Sequence, residues 1–337
     1  MKVLVIGSSG VVGSSVCRVL ELHSVEYVGA VHSAVPREFE VKSDIRKPCL
    51  GLEADSLQDV THIVYSAGST RFDRTIDHER TLNTEPMMKL VELAESLPLL
   101  KKVIFVSTVY SCGLVSGTIE EVRHPDHTVE FANTYEQSKH EAETVLLDQN
   151  TSYQIVIARI STIISDESGA VAKYDSIHRS LQYMYLGLVG ILPGDPTTKV
   201  DLISSDYAGQ RIVQLLGGET RSIYHISSAE SALPIERVLG IAREVFEELE
   251  PGWIAKGYPK PLYARLETFN RMGETMLEAG NVIVGGAYKA LATYASQLCY
   301  PKIFDDTQTR LLGEVSVKDT ETLFRDMVHY CVKRRWQ

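Results

Sequence analysis

Tyr135 and Lys139 stand four residues apart in the run Tyr-Glu-Gln-Ser-Lys. At that spacing two side chains share one face of a helix. An ammonium beside a phenol favours the phenolate and draws the phenol's pKa down toward neutrality. A phenol tuned in this way passes a proton to or from the oxygen of a bound molecule. The same spacing also occurs as an ordinary pair on a helix surface, so its weight depends on what lies around it. About thirty residues earlier, the apolar run starting at Lys102 leads into Ser107-Thr108, which places two hydroxyls at the end of an expected strand.

The first line of the chain supplies the context. Val3-Leu4-Val5-Ile6 is a short apolar run suited to a buried parallel strand. Gly7-Ser8-Ser9-Gly10-Val11-Val12-Gly13 follows at once, and apolar residues at 12, 16, 19 and 20 then give helical spacing. Strand, glycine turn and helix in this order form a site for a dinucleotide pyrophosphate, held at the helix N-terminus. Gly7 allows the tight turn, Gly10 a close approach of the backbone, and Gly13 close packing of helix on strand. Ser9, Val11 and Val12 present the backbone between them. The next strand spans Glu26 to Val31 and ends at His32-Ser33, with no acid for a ribose 2′-hydroxyl. Arg37 lies a few residues on, either to meet a 2′-phosphate or as a solvated loop arginine. The expectation is NADP rather than NAD. Asp44-Ile45 contacts the adenine or forms only a turn.

The chain has 337 residues, enough for one large domain or two smaller ones. Its formal net charge of −10 makes a nucleic-acid backbone a poor partner. Lys333-Arg334-Arg335 is too short a basic run to change that. The chain starts directly in a strand, so no signal peptide is expected. No stretch reaches eighteen uninterrupted apolar residues, the nearest being Val282 to Cys299 with Lys289 inside it, so no membrane span is expected. Five scattered cysteines without a C-x-x-C suit a reducing, cytoplasmic setting. His124-x-x-His127 lies in a polar loop without further ligands, and no metal is expected.

Strand and helix signals alternate through the first half. Thr61–Tyr65 reads as a strand leading into Ser66-Ala67-Gly68, Asp77–Ser96 as one helix, and Lys102–Val106 as a strand. Tyr135–Leu147 reads as a helix and Tyr153–Ala158 as a strand. Such alternation predicts an α/β fold: a Rossmann-type, doubly wound parallel sheet. Later, Val200–Ile203 and Ser222–Ile226 read as strands, with a helix from Asp206 through Leu216 between them. Further helices are predicted from Leu233 through Phe246 and over Leu262–Ala279. The division expected is a dinucleotide-binding domain over 1–165 and 199–228, and a smaller, mostly helical C-terminal substrate lobe over 166–198 and 229–337. Ligands in this architecture sit at the carboxyl ends of the strands. Tyr183, Met184 and Tyr185 are candidates for the substrate wall or for the lobe's core.

With these segments placed, the chain resembles an extended short-chain dehydrogenase/reductase, of the epimerase/dehydratase superfamily. The residues that carry the likeness are Gly7, Gly10, Gly13, Ala67-Gly68, Asn83, Ser107-Thr108, Tyr135 and Lys139. Several phrases resemble the thioester-reductase and fatty-acyl-reductase branch: Ser69-Thr70-Arg71-Phe72-Asp73, Phe105-Val106-Ser107-Thr108-Val109, Ile157-Ala158-Arg159-Ile160, Leu192-Pro193-Gly194-Asp195, Val200-Asp201-Leu202-Ile203 and Tyr224-His225-Ile226. Phe304-Asp305-Asp306 is a weaker echo. Two residues depart from the branch: Ile160 stands where a proline is usual, and His32 where an arginine is common. Residues 230–300 carry no motif of the family.

The resemblance implies NAD(P)H-dependent reduction of a carbonyl (an acyl thioester, aldehyde or ketone). Tyr135 would be the proton donor, Lys139 would lower its pKa and hold the nicotinamide ribose, and Thr108 would bond the carbonyl oxygen. Asn83 either supports the cofactor loop or braces the sheet. Ala67, Gly68, Ser69, Ser107, Arg159 and Ile160 would line the cofactor with the glycine turn, His32, Arg37, Asp44 and Ile45. Arg71 and Asp73 either face the cofactor or pair with each other. The partners implied are a small or carrier-bound carbonyl substrate and a second subunit in a homodimer. A carrier would need a basic patch, for which Lys256, Lys260 and Arg265 are candidates or merely solvated charges. Two other readings stay open: a sugar-nucleotide epimerase or dehydratase with tightly bound NAD, and a non-catalytic dinucleotide sensor or scaffold.

Overall fold

A computed structural model of the protein describes residues 1–33, 35–124, 129–218, 221–258 and 260–337. Seven strands, β1 (Lys2–Ile6), β2 (Glu26–Val31), β3 (Glu40–Lys42), β4 (His62–Tyr65), β5 (Lys102–Thr108), β6 (Gln154–Ile160) and β7 (Ile223–Ile226), form one sheet. Their order is β7-β6-β5-β4-β1-β2-β3, and every neighbouring pair is parallel. Period-two alternation decides which side chain faces which layer. Leu4, Ile6, Ile63, Tyr65, Val103, Phe105 and Ile157 face α3 (Pro86–Glu95) and α4 (Thr134–Leu147). Val3, Val5, Val64, Ile104, Val106 and Val156 face α1 (Val11–Leu22) and α6 (Ser205–Gln214). Both faces are covered, so the sheet is doubly wound. Strand order reverses between β1 and β4, and the crevice outside the carboxyl ends of those strands is where a ligand fits this topology.

The helix predicted over Asp77–Ser96 is two helices, α2 (Ile76–Asn83) and α3. Pro86 is the cause: it lacks the N–H that an uninterrupted helix would use there, and it opens α3 instead. The strand read over Val200–Ile203 is two short strands with Asp201 between them. Lys199–Val200 pairs with Leu233–Pro234, and Leu202–Ser204 with Thr162–Ser165, outside the main sheet. The helix expected from Leu262 begins with a short strand, Leu262–Ala264, paired to Ile191–Pro193, and only then runs as α8 (Leu266–Glu278).

Two larger apolar cores stand apart from the sheet among the described residues. One gathers α5 (Ser176–Tyr185), α7 (Ile235–Leu249) and α11 (Thr320–Lys333) around Trp253, Phe246 and Phe324. Met184 and Tyr185 belong to this core, Tyr185 packing on Phe246 and Trp253. The other lies in the hairpin of α8 and α9 (Val282–Ala295), where Tyr183 packs. Two of that hairpin's glycines permit the close approach: a Cβ at Gly273 or Gly285 would strike Tyr288 or Leu277. Lys302–Phe304 then returns to pair with Gly117–Ile119, leading into the one-turn helix α10 (Thr307–Arg310) beside β7. Among the described residues, no helix is long and apolar enough to cross a membrane.

Candidate active site

The glycine turn is built as its spacing implies. Gly7 has φ +87°, and a Cβ there would lie 2.8 Å from the Ala67 nitrogen. At Gly13 a Cβ would lie 2.1 Å from the Gly7 carbonyl oxygen, so α1 and the turn meet at glycine only. Gly10 is different: its φ is ordinary, it is exposed, and the nearest atom to a Cβ is the Gly7 oxygen at 3.3 Å. Gly10 is also the N-cap of α1, with no side-chain cap and no acid in the first turn. The N–H groups of Val11, Val12 and Gly13 therefore open toward a surface cradle, and a partial positive charge faces it. The donor set fits a pyrophosphate. Ser9 is exposed beside it, and Ala67 and Gly68 follow β4 at its edge.

At the adenosine end, His32 and Arg37 are exposed. Asp44 is committed to Arg46, which donates to its carboxylate from Nε and Nη2 at 2.9 Å each. That pairing holds the Asp44 carboxyl well below its usual range. Arg46 Nη2 also lies 3.5 Å from His32 Nε2, and Lys89 Nζ donates to the Arg46 carbonyl at 2.7 Å. Arg46 and Lys89 were not singled out from the sequence, although Arg46 directly follows Asp44-Ile45. Ile45 packs on the sheet's core.

Asn133 sets where α4 begins, accepting the Glu136 N–H at 3.0 Å. Tyr135 thus falls in the first turn and Lys139 one turn on. Burial pushes the Tyr135 phenol well above its ordinary value, and the Thr108 hydroxyl, bonded to it, pulls the other way. Lys139 is 6% exposed, donates to the Val106 carbonyl at 2.6 Å and lies 4.0 Å over the Phe105 ring. Burial brings its ammonium down to about 7. The expectation that Lys139 lowers the Tyr135 pKa is corrected by the burial of both groups. Desolvation dominates both groups, and the phenol is held in its protonated form.

Five predicted site residues turn their side chains away from the crevice. Arg159 is 0% exposed and donates to Glu143 from Nη2 at 2.7 Å and to the Val122 carbonyl at 2.9 Å. Ser107 donates to the same Glu143 at 2.5 Å. Neither has a side-chain face for a cofactor; they tie α4 to β5 and β6. Asn83 is 2% exposed, accepts the Ser69 N–H at 2.9 Å and donates to Ser138 Oγ at 2.9 Å and to Glu79 at 3.1 Å. It braces the loop after β4 against the helix carrying Tyr135, and touches no open space. Ser69 likewise turns its hydroxyl inward to Glu79 at 2.9 Å. Ile160 packs on the sheet's core at the end of β6. Glu79 and Glu143 had no mark in the sequence beyond their i,i+4 spacing to Asn83 and Lys139.

Arg71 and Asp73 pair with each other on the surface at 2.9 Å. Lys256 and Lys260 are paired to Glu250 and Glu236, which removes them as a free basic patch. His127 lies outside the described residues; burial takes His124 down to about 3.

A family model described as male sterility protein, an NAD-binding family, matches residues 19–212. No curated protein matches the chain. Among solved structures, the terminal R domain of the myxalamid PKS-NRPS pathway is 18% identical with a TM-score of 0.77, covering 100% of this chain and 91% of that one. A thiolation-reductase di-domain of an archaeal non-ribosomal peptide synthetase is 16% identical with a TM-score of 0.72, covering 99% and 76%. UDP-glucuronic acid 4-epimerase from Bacillus cereus, solved with NAD, is 17% identical with a TM-score of 0.67, covering 100% and 99%.

Proposed function

We propose, from the premise that this chain belongs to the male sterility protein family among the extended short-chain dehydrogenases/reductases, that it reduces a carbonyl carbon with NADPH, the substrate being an acyl thioester or the aldehyde derived from it. The observation that carries the reading is the placement of Tyr135 in the first turn of α4, with Lys139 buried one turn on against the Val106 carbonyl and Thr108 at the carboxyl end of β5. A nicotinamide cofactor bound along the Gly7–Gly13 turn, Ala67 and Gly68 would supply a hydride. Tyr135 then gives its proton to the substrate oxygen as negative charge develops there, and Thr108 aims a second hydroxyl at the same place. Once the proton leaves, Lys139 one turn along stabilises the phenolate. We assign residues 1–165 and 199–228 to the dinucleotide-binding domain. The rest is the substrate lobe, apart from residues 302–310, which pair with Gly117–Ile119 and lie beside β7.

NADPH over NADH is supported by the adenosine end. The Asp44 carboxylate is already held by Arg46, and the cations of Arg37, Arg46 and Lys89 stand at that end. A 2′-phosphate suits such a set better than a 2′-hydroxyl, which needs a free acceptor. The epimerase reading shares the fold likeness but needs NAD retained through the cycle.

The test is NADPH consumption across acyl thioesters and aldehydes, with Tyr135→Phe beside the wild type. The variant is expected to lose about 100- to 10,000-fold in turnover while binding NADPH as before. Silence across the whole panel, or protein that purifies with stoichiometric NAD, contradicts the proposal.

A further inference from the structure

One aromatic ring packs on Tyr135, and a second, from a distant part of the chain, packs on the first. Phe72, in the loop after β4, has its ring centre 5.5 Å from that of Tyr135. Tyr294, in the last turn of α9, lies 6.2 Å from Phe72. Both placements are built. On the α9 side, Asn133 Nδ2 donates to the Thr293 carbonyl at 3.0 Å, and Gln297 Nε2 donates to Glu136 at 2.8 Å. Residues near Tyr135 on either side thus grip residues near Tyr294 on either side. On the loop side, Ser69 is pinned by Asn83 and Glu79, and the Arg71 N–H donates back to Ser69 Oγ at 3.2 Å. The Tyr294 hydroxyl is bonded to Ser180 of α5. Behind Tyr294 the surface continues into Tyr183, Leu188 and Ala292, packed on the apolar cluster of Phe269 and Leu291.

We propose that Phe72 and Tyr294 form an aromatic wall that receives the uncharged hydrocarbon substituent of the reducible carbonyl and selects linear acyl chains over chains branched beside the carbonyl. The inference rests on Tyr135 as the proton donor to that carbonyl. With the oxygen at Tyr135 and Thr108, the carbon's substituent must lie along the adjacent rings. A single-file chain passes beside an aryl edge, whereas a branch next to the carbonyl displaces a ring that two hydrogen-bonded anchors hold in place. Neither ring was marked as a site residue by its sequence context.

Calorimetry separates this inference from the reaction itself. Octanamide and its branched isomer valproamide are carbonyl probes that are not reduced. Each is titrated into the NADPH-loaded protein, for wild type, Phe72→Leu, Tyr294→Ala, Tyr294→Leu and Tyr294→Phe. The wild type is expected to bind octanamide at least about tenfold more tightly than valproamide. Tyr294→Ala should bring that ratio near unity, and Phe72→Leu should reduce it. Tyr294→Phe, which keeps the ring, should hold the wild-type ratio. Tyr294→Leu serves if the alanine variant does not fold. Equal affinities in the wild type, or an unchanged ratio in Phe72→Leu and in the folded alanine or leucine variant, overturns the inference. A linear preference without NADPH consumption on any substrate leaves the wall standing and removes the reductase reading; consumption with equal amide affinities does the reverse.

Discussion

Replacing Lys139 by methionine should abolish turnover and at the same time stabilise the fold. Lys139 is almost fully buried, and its ammonium is brought from an ordinary 10.5 down to about 7. At about 1.4 kcal/mol per tenfold, keeping that charge in place costs roughly 5 kcal/mol. Methionine removes the cost but also the bond from Nζ to the Val106 carbonyl, about 1.5–3 kcal/mol for a charged donor. A net gain of roughly 2–3 kcal/mol remains, since methionine fills a similar volume with apolar atoms. The pH dependence follows from the direction of the change. Below about 7 the lysine is protonated whether folded or unfolded, and the cost is fully present. Between about 7 and 10.5 the unfolded chain holds a proton that the folded one has lost, so wild-type stability rises with pH. The advantage of Lys139→Met should therefore be largest near pH 6 and fade toward pH 10. Urea unfolding followed by far-ultraviolet circular dichroism reads the sheet; both tryptophans lie in the lobe's core and report on that instead. A variant less stable than wild type at pH 6, or a difference that does not change with pH, refutes the reasoning.

Other outcomes follow from the same contacts. Gly13→Ala should lose about 1–3 kcal/mol of stability, because its Cβ meets the Gly7 oxygen; Gly10→Ala should melt like the wild type yet bind NADPH weakly. Thermal unfolding beside a cofactor titration distinguishes the two. Arg159→Met should cost about 3–5 kcal/mol in urea unfolding by leaving Glu143 buried without its cation, and adding Glu143→Gln should restore part of it. Arg46→Ala should weaken NADPH about tenfold or more in a fluorescence titration and leave NADH nearly unchanged, a charged hydrogen bond being worth about 1.5–3 kcal/mol.

Much of the sheet was legible because buried parallel strands are continuous apolar runs: β2 begins and ends where its residues indicated. The glycine turn was legible for a similar reason, since Gly7 and Gly13 each answer a local steric demand. What escaped notice depended on distant partners. Arg159 sits at the end of β6, where a cofactor contact is reasonable, but its true partner comes from the preceding helix. Asn83 was open between supporting the cofactor loop and bracing the sheet, and only its bonds to Ser69 and Ser138 show that it ties the loop after β4 to α4. The spacing of Tyr135 and Lys139 said that they share a helix face. It could not say how dry that face is, and dryness reverses the expected sign on the phenol. Phe72 and Tyr294 meet only because the loop after β4 and the end of α9 are each pinned by side chains far away in sequence.

Hydride transfer itself is the most direct test. NADPH carrying deuterium at nicotinamide C4 would be incubated with the protein and a linear acyl thioester or aldehyde, and the product examined by mass spectrometry. Direct reduction places the deuterium on the former carbonyl carbon, and Tyr135→Phe suppresses its appearance. Product formed without deuterium from either face of the cofactor, or label that stays on a retained cofactor while a sugar nucleotide is interconverted, would contradict carbonyl reduction.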